Sequence, residues 1–543
     1  MFKRFLRSGD PFIWLTGGAL AFSLLMIAAL IWIVAANALG FFWPDQLRAV
    51  DLQDGQKLLG VVRATEAIPQ QDGSDAPVQY RTQFQVANRD LYGLGFRWVD
   101  DRRMTAHVFP EEVVYVERLE WGPFFGFLTT VRQDGQSLAE GFVQAWPKFQ
   151  ELHTRTQATL EKIHAIEKKD IGAINYELEQ LRIAVKSTQR KETDPVRAAE
   201  KITALEQKIA SWQQTYETKA QELAALYEEN ARYHIVLQDI NGKEKELAIA
   251  GIVRAFLPNT MSRLDRFALY ITRFWEFFWE DPREANTEGG VFPAIFGTVL
   301  MVIIMSIVVV PFGVVAALYM REYAKQGPLV RAVRIAVNNL AGVPAIVFGI
   351  FGLGFFVYGV GGTLDQLFYQ DVLPTPTYGT GGILWASLTL ALLTVPVVIV
   401  ATEEALSSIP REWREGSLAL GATKWETLRK IVIPGALPGI LTGTILAMAR
   451  GAGEVAPLMI TGVVKLAPTL PIDGYWPFFH LERKFMHLGF HIYDVGFQSP
   501  NVEAAKPMVF MTTLFLIVIV IALNLVAIAI RNRLRSRLRF GVF

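Results

Sequence analysis

The sequence predicts a mostly α-helical membrane protein of six spans, with a mixed α+β domain inserted after the first of them. Three observations lead there. Hydrophobic residues make up 51% of the 543, too apolar for an ordinary soluble enzyme, while 19% charge is too much for a chain wholly immersed in lipid. Six uncharged runs can each supply the roughly 20 apolar residues that cross a hydrocarbon core. Between the first two runs lies a long polar stretch with strand and helix periodicities of its own. The net charge of +1 is uninformative as a total, and the lack of cysteine excludes disulfides, thiol catalysis and thiolate metal sites.

Taken in order, the uncharged stretch from Pro11 to Pro44 is too long for a signal-peptide core and gives the first span, near Phe12–Ala36. Further spans are expected within Val291–Met320, Ile335–Leu364 and Val372–Thr402. The fifth covers Ile431–Ala449 and continues past Arg450 and Glu454 to Val464, and the sixth covers Pro507–Ile530. Basic residues collect in four places. Lys3, Arg4 and Arg7 open the chain; Arg321, Lys325, Arg331 and Arg334 follow the second span. Arg411, Arg414, Lys424, Arg429 and Lys430 lie between the fourth and fifth, and Arg531, Arg533, Arg535, Arg537 and Arg539 form the tail. Six spans put all four on one side, which the bias of Lys and Arg makes cytoplasmic. The loop at Thr363–Thr380 on the other face has no Lys or Arg; the Lys465–Lys506 loop, with four, is a mild exception. Both termini are expected inside and residues 41–290 outside.

The insert, 41–260, has its own order. Val78, Tyr80, Thr82, Phe84 and Val86 alternate as a strand does. Asn241-Gly242 between two apolar runs signals a β-hairpin. Ile171, Ile174, Leu178, Leu181 and Val185, then Ile202, Leu205, Ile209, Trp212, Tyr216 and Leu223, step in a heptad frame broken by STQRKETDP. Asp194-Pro195 suits the start of a second helix. The pattern predicts a coiled-coil hairpin at about 148–230, either a docking arm for another protein or a self-packed stiffener. In 261–290, Leu264, Phe267, Ile271, Trp275 and Phe278 share a helix face, which fits an interfacial helix or a buried amphipathic one. Residues 291–531 then hold five spans with a polar loop at 403–434, and 532–543 are a basic tail.

That loop contains REGSLALGATKWETLRKIVIPGALPG. Pro410 fits the first turn of a helix and Gly421 its end; Thr423 and Glu426 form a capping-box pattern, so a second helix begins at once and is expected to stop by Pro434. The pair is too charged to enter lipid and must rest against water or protein. Reading DNA is not expected, because both ends are tethered to spans a few residues away. Glu415, Gly416 and Ser417, Gly421 three residues on, then nine residues to Ile431, Ile433 and Pro434 resemble the EAA loop of ABC importer permeases. Gly416 and Ser417 replace two alanines, and Ile433 a leucine. The stretches GGVFPAIFGTVLMVIIMSIVVVPFGVVAALYMREYA, NNLAGVPAIVFGIFGLGFF and AMARGAGEVAPLMITG are similar to phosphate-specific permeases of the PstA type, over about 290–543 plus the first span.

The resemblance implies an ABC-permease fold in a bacterial inner membrane and a loop that acts as a coupling helix in a groove of a separate ATPase. It implies as partners a second homologous permease, two ATPase subunits carrying ATP and magnesium, an extracytoplasmic phosphate-binding protein and a PhoU-like regulator, with no nucleic acid. It also places the family's ARxxGE element at Arg450 and Glu454. These two are i, i+4 and ionisable at a depth where charge is costly, so they read either as a phosphate-binding arginine with its orienting carboxylate or as a structural ion pair. Gly451 and Gly453 would permit close helix approach beside them. Asn338 and Asn339, with Gly342 and Pro344, are weaker candidates for the substrate path; Pro311 and Pro396 read as helix-shaping.

No G-x-x-x-x-G-K-[ST] string occurs, since Gly242-Lys243 is followed by Glu244, so no ATPase site and no cofactor of its own is expected. His480, His487 and His491 lack a partner motif and read as loop histidines rather than metal ligands. Permeation of another oxyanion such as molybdate or sulfate, or a membrane-anchored scaffold working through the coiled coil, remain rival readings.

Overall fold

The computed structural model describes residues 10–69, 78–499 and 502–537, so Lys3, Arg4, Arg7 and Arg539 lie outside the described residues. Two units form: Phe42–Glu276 with Arg283–Glu288, and Met1–Phe41 with Phe277–Pro282 and Gly289–Phe543.

The first unit is built on two antiparallel sheets. The PVQYRTQFQV alternation gives β3 (Tyr80–Gln85), in which Thr82 and Phe84 are buried while Tyr80 is exposed. With β1 (Arg48–Leu52), β2 (Lys57–Ala67), β4 (Phe96–Asp100) and β5 (Met104–Val108) it forms a sheet in the order β4-β3-β2-β1-β5. Leu58 to Val61 of β2 are buried consecutively because both faces are covered. Leu58 meets Val50, Leu52, Phe84 and Val99, whereas Leu59 and Val61 meet Leu47, Val113 and Phe125. Each such side chain removed from water contributes about 1.5–3 kcal/mol.

The second sheet contains β6 (Val113–Arg118), β7 (Phe124–Gln133), β8 (Gln136–Glu140), β9 (Tyr233–Gln238), β10 (Glu244–Ala248) and β11 (Ile252–Phe256), in the order β10-β9-β7-β6-β11 with β8 on β7. The hairpin at Asn241-Gly242 joins β9 to β10, with Gly242 at φ +85°. The helix from Phe142 packs Ala145, Phe149 and Leu152 on this sheet and runs, through a π segment at Ile166–Ile171, to Lys191. Asp194 caps the returning helix Pro195–Ala231 by accepting from the Val196 N–H at 3.0 Å. The two arms pack on each other, with Ile174 and Leu178 buried and Ile202, Leu205, Ile209, Trp212 and Leu223 half-buried. Arg118 and Asp90 form a buried pair at 3.0 Å, which Lys245 joins at 3.2 Å.

The stripe on the helix Arg263–Trp279 is exposed, not buried: Leu264, Phe267, Trp275 and Trp279 face outward. Phe278 leaves it and meets Phe515 of the last span edge-on, while Phe277 stacks on that ring.

Among the described residues, the second unit contains six helices of membrane-crossing length and composition: Phe12–Leu39, Phe292–Tyr323, Ala345–Phe368, Ile383–Ser407, Lys424–Gly453 and Val502–Leu534. The fourth is central and packs on the second and fifth. Met301, Met305, Ala386, Leu390, Leu393 and Ala447 are buried between them. A Cβ on Gly439 or Gly443 would come within 2.4 or 2.5 Å of the Cβ of Ala405 or Ala401, so the fourth and fifth spans meet through two small-x-x-x-small pairs.

Four boundaries differ from expectation, the first being the fourth span, which starts at Ile383 rather than Val372 and ends at Ser407 rather than Thr402. The third span starts at Ala345, not Ile335, because Gly342 and Pro344 interrupt the helix, and the residue before a proline disfavours the helical region. Pro328–Leu340 is a separate amphipathic helix instead. The helix after Gly421 does not stop at Pro434 but continues from Lys424 to Gly453. A proline clashes with the carbonyl four residues back; here that residue, Lys430, lies in a widened π turn at Leu428–Val432. Finally, the fifth helix ends at Gly453 rather than running to Val464; Glu454 is extended, and a short helix Ala456–Thr461 follows.

Candidate functional site

The site is best assembled from the polar loop outward. Pro410 caps the helix Arg411–Ala419, and Gly421 turns the chain at φ +86°, a left-handed value that glycine adopts without cost. Thr423 and Glu426 close a complete capping box: the Thr423 N–H donates to Glu426 Oε2 at 2.9 Å, and the Glu426 N–H donates to Thr423 Oγ1 at 3.3 Å. Ser417 is buried and its hydroxyl shares a 2.8 Å hydrogen bond with that of Thr427, which ties the two helices together. Glu415 and Gly416 are exposed, and a Cβ on Gly416 would meet open space, so an alanine fits there. Ile431 and Pro434 are half-buried.

Beneath the pair, Leu428, Val432 and Ala436 join Ala405, Leu406 and Ile409 in one buried cluster. Above it stand Trp413, Leu418, Leu420 and Trp425, of which Leu420 is 91% exposed. A charged segment that packs one side and leaves large apolar side chains projecting has the anatomy of a docking surface.

The same helix that begins at Lys424 carries Arg450 in its last turn, after which the chain leaves helical geometry at Glu454. Arg450 Nε and Glu454 Oε1 are 3.6 Å apart, with a third and a quarter of the side chains exposed. The pair therefore sits at a helix break, accessible rather than sealed. A Cβ on Gly451 would lie 2.5 Å from Met305 Sδ, so this glycine does permit a close approach, whereas one on Gly453 would meet nothing. Asn338 and Asn339 are exposed on the separate helix Pro328–Leu340, not on the helix Ile433–Gly453 that carries Arg450. Pro311 and Pro396 both lie inside helices.

The histidines are not surface-loop residues. His487 and His491 are buried, and burial pushes them down to about 3 and about 4. His487 Nδ1 accepts from the Gly489 N–H, capping the helix Leu488–Tyr493; His480 lies between Asp473 and Glu482. Among the described residues no three His, Cys, Asp or Glu groups are placed to hold a metal ion.

Sequence periodicity missed two long-range ion pairs, one from the helix pair to the second span and one from the helix Pro328–Leu340 to the fourth. Arg414 meets Glu322, and Arg334 meets Glu403, across 92 and 69 residues. The small-residue seam was legible, since GILTG at 439–443 spells it out.

Comparison with known proteins follows this geometry. The family of binding-protein-dependent transport system inner membrane components matches residues 309–540. The chain is 36% identical over 192 residues to the phosphate transport system permease protein PstA of Mycobacterium leprae, covering 35% of this chain and 57% of that one. It is 32% identical over 223 residues to the probable ABC transporter permease protein YqgI of Bacillus subtilis, covering 40% of this chain and 70% of that one. The inward-facing MetNI methionine ABC transporter aligns at 18% identity and TM-score 0.31, over 50% of this chain and 99% of that one. The match thus spans little more than half the length of the M. leprae relative.

Six membrane-length helices and a polar helix pair between the fourth and fifth define an ABC-importer permease. The chain belongs to the binding-protein-dependent transport inner-membrane family, and its relatives there include PstA-type permeases. Both relatives are described as permease proteins, and the family as an inner membrane component.

Proposed function

We propose that this chain is the permease subunit of an ATP-driven importer of inorganic phosphate, with the 411–427 helix pair seated in a separate ATPase subunit at the cytoplasmic face. One observation carries the reading: the pair presents Trp413, Leu418, Leu420 and Trp425 outward while its second helix is itself the start of the fifth span. That span has 30 residues and so extends about 45 Å. Closure of two ATPase subunits on bound ATP and magnesium shifts Trp425, and a rigid helix delivers the tilt to Arg450. The contact of Gly439 and Gly443 with the fourth span serves as its fulcrum.

Arg450 offers planar donors to a tetrahedral oxyanion in the path between this chain and a second, homologous permease. Glu454 orients it and repels the anion once the arginine turns away. An extracytoplasmic binding protein delivers the phosphate. The basic clusters after the second and fourth spans support a cytoplasmic face there, and hence an external insert. The exposed stripe Leu264, Phe267, Trp275 and Trp279 supports a helix lying in the outer interface.

Uptake into proteoliposomes holding the assembled complex tests this reading. ATP-dependent phosphate accumulation resistant to excess sulfate and molybdate is expected; uptake that either anion competes away overturns the phosphate assignment.

A further inference from the structure

We propose that the turn at Glu322, where the second span ends, is a second output of the helix pair: Arg414 and Lys424 clasp it, so a movement of the pair is delivered to the second span as well as the fifth. The proposal rests on the reading of the pair as the coupling element.

The geometry is specific. Arg414, on the first helix of the pair, donates from Nη2 to Glu322 Oε1 at 3.1 Å and to the Leu406 carbonyl at 2.7 Å, and from Nη1 to the Ile409 carbonyl at 3.2 Å. One guanidinium thus joins the coupling segment, the end of the fourth span and the end of the second. The side chains of Arg414 and Glu322 are only 20% and 13% exposed, which sets this pair apart from solvent-screened surface bridges. Lys424, at the first turn of the second helix, donates from Nζ to the Glu322 carbonyl and stands 4.8 Å from the centre of the Tyr323 ring. Both helices therefore hold the same turn from two directions. That turn is itself a π segment, Tyr319–Tyr323, at the end of an otherwise α-helical span. Such widened turns are rare inside α-helices and occur frequently at functional sites.

The other ion pair near this loop differs. Arg334 bonds Glu403 at 3.0 Å, but it joins the helix Pro328–Leu340 to the fourth span and does not touch the helix pair. It serves as the control. With the clasp intact, the second, fourth and fifth spans respond to the helix pair together. Without it, the fifth follows alone and ATP is spent with the path unopened. Arg414, Lys424 and Glu322 are accordingly positioning residues.

The test measures ATP hydrolysed per phosphate imported by the full complex in proteoliposomes. Glu322→Arg and Arg414→Glu are each expected to raise that ratio about tenfold, within the 5–150-fold range of site-to-site coupling. The double exchange remakes the ion pair but not the two hydrogen bonds from Arg414 to the Leu406 and Ile409 carbonyls, so it is expected to lower the ratio about threefold from either single variant. Lys424→Met, which leaves no buried unpaired charge, is expected to raise it about threefold, and Arg334→Gln to leave it unchanged. A general structural defect lowers the yield of complex without this pattern of rescue. Single variants with a wild-type ratio, or a double exchange that fails to rescue, overturn the clasp. Wild-type complex without ATP-dependent uptake overturns instead the reading on which it rests.

Discussion

Gly421 at φ +86° is the residue on which the helix pair turns, and no side chain is needed there. A valine at this position forces left-handed backbone at a cost of about 1–2 kcal/mol. Gly421→Val is expected to abolish uptake by displacing the second helix, read as initial-rate phosphate accumulation; uptake at the wild-type rate would favour the scaffold reading. Ser417 carries a subtler expectation. Ser417→Ala leaves the buried Thr427 hydroxyl unpaired and costs about 1–3 kcal/mol, while Ser417→Ala with Thr427→Val is close to neutral in thermal unfolding. Two carboxyls outside the spans shift in opposite senses. Burial works against the Asp90 carboxylate, but bonds from Arg118 and Lys245 outweigh it and hold it below its ordinary value. Its stabilisation is present above about pH 4 and is lost as pH falls through that lowered value. Burial pushes Glu288 the other way, to about 7, with repulsion from Glu117 adding to it. The folded chain then holds a proton that the unfolded chain releases near pH 4.3, so stability falls as pH rises from about 4 to 7. The gain in Tm from Glu288→Gln is therefore expected to grow between pH 5 and pH 7.5.

At the scale of elements, the fourth and fifth spans touch through Ala401 and Ala405 against Gly439 and Gly443. Gly443→Ala places a methyl where another already stands and is expected to cost about 1–3 kcal/mol. Adding Ala401→Gly is expected to recover most of it, measured by thermal unfolding in detergent. Local signals carried the elements well. The strand at 80–85, the hairpin at Asn241-Gly242, the Asp194-Pro195 helix start and the capping box at Thr423 are each written within a few neighbouring residues. The boundaries that hydropathy misplaced depend on more than composition. Gly342 and Pro344 break an apolar run that a hydropathy count joins, which carried Asn338 and Asn339 out of the third span. A π turn rescues Pro434 where a regular helix would end. The i, i+4 spacing of Arg450 and Glu454 did predict their proximity, although Glu454 reaches back from beyond the helix end. Arg414 with Glu322 was illegible, because nothing in either neighbourhood names a partner 92 residues away.

At the scale of the molecule, charge placement argues for which face the helix pair occupies, and helix continuity argues for how force leaves it. The helix pair packs one side on the spans and leaves Trp413, Leu418, Leu420 and Trp425 exposed on the other. Leu420 is its most exposed point, and the absence of cysteine from the chain makes a single thiol there an unambiguous reporter. The decisive measurement is labelling of Leu420→Cys by a membrane-impermeant maleimide. The account expects reaction in inside-out vesicles, none in intact cells, and protection when the ATPase subunit is bound. Labelling from outside the cell, or labelling that no ATPase suppresses, would contradict it.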